Sequence, residues 1–309
     1  MYTEVLQEKS QESGQIDFVK EKIISSIKHH GSNAEHNYHY FMNSEEEGTK
    51  NTLIDFGEGR VILSNIEIED NAWNVFPSGI IAEEKEKNNL FRKFCEYCIE
   101  QRHAKEVYAE LSFELYCEIK DKMEDYHVSD VQFEYTWPIV DLENFDEKLD
   151  GSEYYELRKI RNNFLKNNEF QIINGNEVPI EKLKKILQEW ESNRKSKDSA
   201  HSTEYKSWIN TNFEGADYAK CWAVNREPCA IVAGWKIPNS NSFYLEIVLH
   251  NYAIKNLGEM IYLQTILELK KVGYSSCNLG GSDKKLLNFK NKFLPTEFYK
   301  TVEFFVRKK

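Results

Sequence analysis

Two clusters of cationic side chains have the types and spacing to hold a phosphate. Arg158 and Arg161 lie three residues apart, with Lys159 and Lys166 close by. On a helix that spacing puts both guanidinium groups on one face, opposite Leu157, Ile160 and Phe164. Two such forks can grip a phosphate through paired hydrogen bonds. The same arginines would serve equally as a solvated face paired with Glu153 and Glu156. The second cluster is Lys284, Lys285, Lys290 and Lys292, around the Gly280-Gly281 pair. Glycines let a backbone approach a ligand closely, so Gly280, Gly281 and Lys290 suit an anionic group. Lys284 and Lys285 read as well as a charged helix surface. Cys95 and Cys98 fall on a helix with core spacing and there is no second CxxC, so no zinc site is expected. His29, His30, His36 and His39 lie in the least periodic segment and are expected at the surface. Walker A, G-x-S-x-G and H-E-x-x-H motifs are absent, and no metal is expected.

Those residues need elements to position them. Apolar periodicity predicts helices over Ile16–Ile27, Asn88–Arg102, Phe113–Met123, Ser152–Asn168, Ile180–Lys195, Ser207–Phe213, Glu259–Val272 and Lys284–Phe293. Strands are predicted over Thr52–Phe56, Val61–Ile68, Trp73–Phe76, Glu106–Leu111, Val131–Ile139, Ala219–Asn225, Pro228–Ile237, Phe243–Leu249, Cys277–Gly280 and Phe298–Val306. The order strand, helix, strand, helix, strand from Trp73 onward repeats from Phe243 onward with an offset of roughly 170 residues and almost no identity, the mark of a degenerate duplication. The expected organisation is a helical, polar segment over 1–45, a first α/β unit over 46–168 and a second over 169–309, each a mixed sheet flanked by helices.

Composition narrows the function. Hydrophobic residues make up 40 % and charged residues 29 %, the mix of a globular chain. The net charge of -11 argues against general affinity for nucleic acid or anionic lipid, since both need a positive surface. No stretch approaches the roughly 18 apolar residues of a membrane span, and Met1–Gln15 is too polar for a signal peptide. The 6 cysteines are scattered, which suits reduced thiols and a cytoplasmic location.

Two stretches resemble a known family. They are Glu134 to Leu142 (EYTWPIVDL) with Leu149 to Lys166 (LDGSEYYELRKIRNNFLK), and Cys277 to Asp283 (CNLGGSD) followed by Phe289 to Pro295 (FKNKFLP). They are similar to the C-terminal domain of phosphatidylglycerol lysyltransferases, over roughly residues 50 to 309. The resemblance implies two GCN5-related N-acetyltransferase (GNAT) units in tandem, as in the Fem-type aminoacyltransferases, and an acyl or aminoacyl transfer. It implies an acyl-CoA or an aminoacyl-tRNA as donor, and an amine or hydroxyl of a small molecule or peptide as acceptor, with tRNA among the possible partners.

In a GNAT unit the donor's pyrophosphate sits at a helix start, where unpaired N–H groups and the helix dipole favour an anion. The matching loop is Ala253 to Glu259, with Lys255, Asn256 and Gly258 as donor-site candidates. It carries one glycine of the usual pattern, and Glu259 would repel a phosphate. The matching loop of the first half, Ala82 to Lys87, has three carboxylates and no glycine, so the second unit is expected to hold the donor. Arg158 and Arg161 would then meet a CoA 3′-phosphate or a tRNA acceptor end, and Lys290 has a family counterpart. Acyl transfer needs a base for the acceptor and an acid for the leaving group. The resemblance makes Glu246 the candidate base and Tyr299 the candidate acid. The resemblance and the poor pyrophosphate loop favour aminoacyl-tRNA, while the acidic charge and short length favour acyl-CoA. The rival expectation is a catalytically silent binding or scaffold protein that kept the fold.

Overall fold

Alternation along the strands sets the layers. Leu53, Val61, Leu63, Phe76 and Ile81 are buried with Val19, Ile23 and Phe41 on one side of a sheet. Ile54, Ile62, Trp73, Val75 and Ile80 are buried with Leu90, Phe91, Phe94 and Leu115 on the other. A strand's period of two sends neighbouring side chains to opposite faces, so strands apolar at both parities need helices on both sides. The computed structural model of the chain describes residues 3–6, 13–193 and 202–309.

In chain order the elements begin with β1 (Thr3–Leu6), α1 (Ser13–His30), α2 (Tyr38–Asn43), β2 (Thr49–Asp55), β3 (Val61–Glu67) and β4 (Ala72–Ile81). Next come α3 (Glu84–Cys95, prolonged by a π-helical turn), β5 (Val107–Ser112), α4 (Phe113–Lys122), β6 (Tyr126–Val128), β7 (Phe133–Asp141) and α5 (Tyr155–Asn167). They continue with β8 (Phe170–Asn174), α6 (Ile180–Asn193), α7 (Ser202–Asn210), β9 (Tyr218–Val224), β10 (Glu227–Lys236) and β11 (Ser242–His250). Last are α8 (Leu257–Val272), β12 (Ser276–Asn278), α9 (Lys284–Lys290) and β13 (Glu297–Lys308). The expected end of the α6 helix at Arg194 and Lys195 lies outside the described residues.

The chain divides into two compact units. Unit 1 is Met1–Thr136, Ile237–Ser240 and Tyr299–Lys309, and unit 2 is Trp137–Lys236 and Asn241–Phe298. In unit 1, β2, β3 and β4 are antiparallel, and β4 runs parallel to β5 over Trp73–Val75. The carboxyl end of the chain closes this sheet: β13 pairs antiparallel with β5 over Thr301–Val306. In unit 2, β8 to β11 are antiparallel, and β11 runs parallel to β12 over Ser242–Tyr244. Here the closing strand comes from the middle of the chain, because Ile139–Asp141 of β7 pairs antiparallel with β12. The parallel pairs match across the units: Trp73 faces Val107, and 170 positions later Phe243 faces Cys277. The duplication is therefore visible in strand register. The expected boundary after Asn168 falls inside unit 2, and the first 45 residues belong to unit 1. The closing strands trade units, which an element order read along the chain does not reveal.

His36 is not at the surface as expected. It is buried, its Nε2 donates to the Ser78 carbonyl at 2.8 Å, and its Nδ1 accepts from the Ser32 and Asn33 N–H groups. Burial holds its pKa down at about 4, so the neutral imidazole ties this loop to β4.

In unit 2, Leu157, Ile160 and Phe164 of α5 and Met260, Ile261 and Leu263 of α8 share a core with Trp222, Val232, Phe243 and Leu245. The other face is covered by α6 and α7, where Trp208 stacks on Trp235 with ring centroids 5.4 Å apart. Gly234 of β10 sits where a Cβ would lie 2.0 Å from the Tyr244 carbonyl oxygen. Backbone cannot move aside as a flexible side chain can. Gly234→Ala is expected to destabilise the chain by about 1–3 kcal/mol, the range for overpacking, read as a lower urea midpoint.

Candidate functional site

A bulge and a splay meet at Glu246. Along β10 and β11, Ala233 pairs with Ile247 and Gly234 with Leu245, so Glu246 is an extra residue with no cross-strand partner. A bulge re-aims side chains locally. Before it, Phe243 and Leu245 face the α5/α8 core, and after it Val248 does. On the other side of β11, pairing with β12 ends at Tyr244 and Asn278. Beyond that point the ladder between the two parallel strands stops, and Glu246 lies two residues past its end.

Three neighbours define its surroundings. The Tyr244 hydroxyl donates to Glu246 Oε2. Lys290 is 3 % exposed at the end of α9, and its Nζ donates to the Gly280 carbonyl at 3.0 Å and the Gly281 carbonyl at 3.5 Å. Gly280, at φ +87°, supplies a left-handed turn, and a Cβ there would lie 3.6 Å from the Leu245 carbonyl oxygen and 3.4 Å from Lys290 Nζ. A Cβ on Gly281 would meet the Trp137 ring at 3.1 Å.

Electrostatics follow from burial. Loss of water raises the Glu246 pKa, while the Tyr244 hydroxyl and the Lys290 charge pull it back. Loss of water lowers Lys290 to about 7, opposed by Glu246. Each charge offsets only part of the other's loss of water, so both groups are shifted towards their neutral forms, the kind of perturbation found where proton transfer is done. The Cys277 thiol is buried and pushed up to about 12, so it is no thiolate nucleophile at neutral pH.

The start of α8 is less suited to a pyrophosphate. Lys255 is exposed and Asn256 adopts φ +65°. Gly258 faces the His250 ring, whose Nε2 would lie 2.8 Å from a Cβ there. Glu259 points to Lys292 at 2.8 Å, and Lys292 also reaches Glu156 at 3.7 Å. That cation neutralises Glu259 rather than serving a ligand.

The paired-arginine expectation separates into two different residues. Arg158 donates to the Leu149 carbonyl and to the Gly151 carbonyl at 2.6 Å, holding a turn in which both residues have positive φ. Arg161 is half-buried and makes no ion pair or side-chain hydrogen bond among the described residues. Arg158→Ala is expected to lower stability by about 1–3 kcal/mol, the range for losing a charged hydrogen-bond donor. Arg161→Ala is expected to leave the urea midpoint within about 0.5 kcal/mol of the parent.

The structure therefore brings together Glu246, Gly280, Gly281 and Lys290. Lys255, Asn256, Gly258, Arg158 and Arg161 lie elsewhere in unit 2, and Tyr299 lies on the β13 stretch assigned to unit 1. Tyr244 was missed as a partner. Its signal was present, since residues two apart on a strand share a face. Trp137 was missed because only the strand exchange puts β7 in this unit.

A family model described as phosphatidylglycerol lysyltransferase, C-terminal, matches residues 53–300. No curated protein matches the sequence. Among solved structures, the chain is similar to L-PGS from Bacillus licheniformis, with 15 % identity and a TM-score of 0.64 over 94 % of this chain and 91 % of that one. It is similar to FemX at 10 % identity and a TM-score of 0.63, covering 97 % of each chain. It is also similar to a tandem GNAT protein from the clavulanic acid biosynthesis pathway, at 10 % identity and a TM-score of 0.54 over 100 % of this chain and 98 % of that one. These likenesses establish the fold as two GNAT units in tandem. Among the described residues no helix is long and apolar enough to cross a membrane.

Proposed function

We propose, from the premise that the chain belongs to the family of phosphatidylglycerol lysyltransferase C-terminal domains, that it transfers an aminoacyl group from aminoacyl-tRNA to an amine or hydroxyl of a small molecule or peptide. The observation that carries this reading is half-buried Glu246 near buried Lys290, just past the end of the β11–β12 pairing.

In this reading the acceptor's nucleophilic atom attacks the aminoacyl ester carbon, and its proton passes to Glu246. The ester C–O bond breaks as the new amide or ester bond forms, and the proton goes from Glu246 to the departing tRNA hydroxyl. Tyr244 orients the carboxylate. Lys290 opposes the upward shift that burial imposes on Glu246 and supplies positive charge beside the tetrahedral oxyanion. Glu246 serves as both base and acid, so Tyr299 is not needed for the proton's return. Arg161, without an ion pair among the described residues, is a cation offered to the tRNA. Aminoacyl-tRNA is preferred to acyl-CoA because the α8 start carries a Glu259–Lys292 ion pair and a glycine covered by His250, where a pyrophosphate would need open N–H groups.

The test is incubation of the full chain with a pool of radiolabelled aminoacyl-tRNAs, or with labelled acetyl-CoA, and mixed amine and hydroxyl acceptors. Transfer of label from tRNA supports the proposal. Transfer from acetyl-CoA alone replaces the donor, and transfer from neither favours a silent binding protein.

A further inference from the structure

Among the described residues, buried tyrosines engage their hydroxyls, and one beside the site does not. Tyr116 donates to the Ser129 carbonyl at 3.0 Å, Tyr126 to Glu100 at 3.3 Å and Tyr244 to Glu246. The Tyr154 hydroxyl accepts from the Asp146 N–H at 3.1 Å. Tyr262 is equally buried, at 7 % exposed, yet its hydroxyl makes no hydrogen bond among the described residues. A phenol O–H buried without an acceptor lowers stability. Such a group points to a partner outside the chain.

Packing fixes where that hydroxyl lies. Tyr262 sits in the second turn of α8. Its ring stacks on Phe293 with centroids 5.1 Å apart and meets Phe289 edge-on at 5.5 Å. Lys290 follows Phe289, so the segment that clamps the ring also carries the buried ammonium. The ionisable groups acting on the hydroxyl are Cys277, Glu246 and Tyr252. Cys277 belongs to the β11–β12 ladder and Glu246 lies just past its end. Burial, then Cys277 and Glu246, hold the Tyr262 pKa above the usual tyrosine range, so the hydroxyl stays a donor at neutral pH.

A fixed neutral donor beside a base and a cation suits one moment of the transfer proposed above, and the inference rests on that reading. As the acceptor's lone pair attacks the ester carbon, the carbonyl π pair moves onto oxygen and Glu246 takes the acceptor's proton. The new charge on oxygen needs directed donors, and Lys290 Nζ is already shared with the Gly280 carbonyl at 3.0 Å. Collapse returns the pair to the carbonyl and expels the tRNA hydroxyl, which takes the proton from Glu246. The Tyr262 proton never leaves its oxygen.

We propose that Tyr262 is a further catalytic residue, whose hydroxyl donates the hydrogen bond that stabilises the tetrahedral oxyanion. A thioester donor would place the same charge on its carbonyl oxygen, so the role does not depend on which donor is used.

The test compares Tyr262→Phe with the parent in steady-state transfer from labelled aminoacyl-tRNAs and labelled acetyl-CoA, and in urea unfolding. Phenylalanine keeps the ring between Phe289 and Phe293. The expected result is a fall in kcat of about 10²–10³-fold, the usual loss on removing one oxyanion donor, with KM unchanged. The urea midpoint should equal or exceed the parent's, because an unpartnered hydroxyl is removed. Tyr218→Phe is the control. Its hydroxyl donates to Glu268 at 2.7 Å, so that variant should lower the midpoint and leave kcat as it was. Loss of rate without loss of stability in Tyr262→Phe supports the proposal. An unchanged kcat overturns it while the transfer reading stands, as does a change confined to KM. A midpoint lowered as in Tyr218→Phe also overturns it, since the hydroxyl then serves the fold. A parent that transfers from neither donor overturns both readings.

Discussion

Lys290→Met is expected to reduce transfer by about 10²–10³-fold, the usual loss on removing one electrostatic stabiliser from an active site, while the chain still folds. Methionine keeps most of the buried stem, so the loss is chiefly of charge and donor. The Gly280 and Gly281 carbonyls lose their Nζ partner, at a stability cost of about 1–3 kcal/mol. The larger effect reaches Glu246. The Lys290 charge is one of the two influences that pull the Glu246 pKa down. Without it the carboxyl stays protonated to higher pH, so the acid limb of the rate profile should move upward. A purely structural lysine would leave that limb where it was. Stability carries a separate signature. Lys290 falls from its ordinary 10.5 to about 7 in the folded chain, so between those values the unfolded chain binds more protons. Stability therefore gains from this group as pH rises from about 7 towards 10.5, and Lys290→Met should lack that gain in urea unfolding.

The second large effect is Glu246→Gln. Transfer should fall by about 10²–10⁴-fold, the range for a lost general base, and the acid limb should vanish rather than move. The linkage runs opposite to that of Lys290. Glu246 is raised by burial, so the folded chain holds this proton more tightly than the unfolded chain. Its contribution is full at low pH and is lost as pH rises through the folded pKa. The amide cannot ionise, so the variant should equal or exceed the parent in stability at pH 8. Lysine at 246 would instead place two cations together and should lose both rate and stability. Glu246→Gln also removes the influence that raises Lys290, which should drop further below about 7.

Much of the architecture was legible because long apolar runs constrain their own geometry. The run Glu259 to Val272 reads as a helix buried on both sides, and α8 has nine buried residues over Leu257–Val272. The repeated element order anticipated the two matched parallel pairs. Short elements escaped: β6, β8 and α2 have three to six residues, too few for periodicity to register. The helix expected from Ser152 starts only at Tyr155. Within the site, Glu246 and Lys290 were named in the sequence, but their meeting was not. It depends on the bulge that leaves Glu246 unpaired, and a single inserted residue has no signature in an apolar strand. Arg158 and Arg161 looked alike in the sequence. Only the positive-φ turn at Leu149 and Gly151 explains why one guanidinium is already engaged.

The trade of closing strands has a consequence for how the protein is made. Unit 1 takes in the first 136 residues, yet its sheet is completed by Thr301–Val306. A nascent chain emerges amino end first, and its domains ordinarily fold in that order. Here the first unit waits with an open edge at β5 until β13 has been translated, while unit 2 receives β7 long before its remaining strands exist. Contacts this distant in sequence slow folding and leave the unpaired edge open to aggregation. The arrangement also ties the halves into one heritable object. No single break in the gene yields either unit whole.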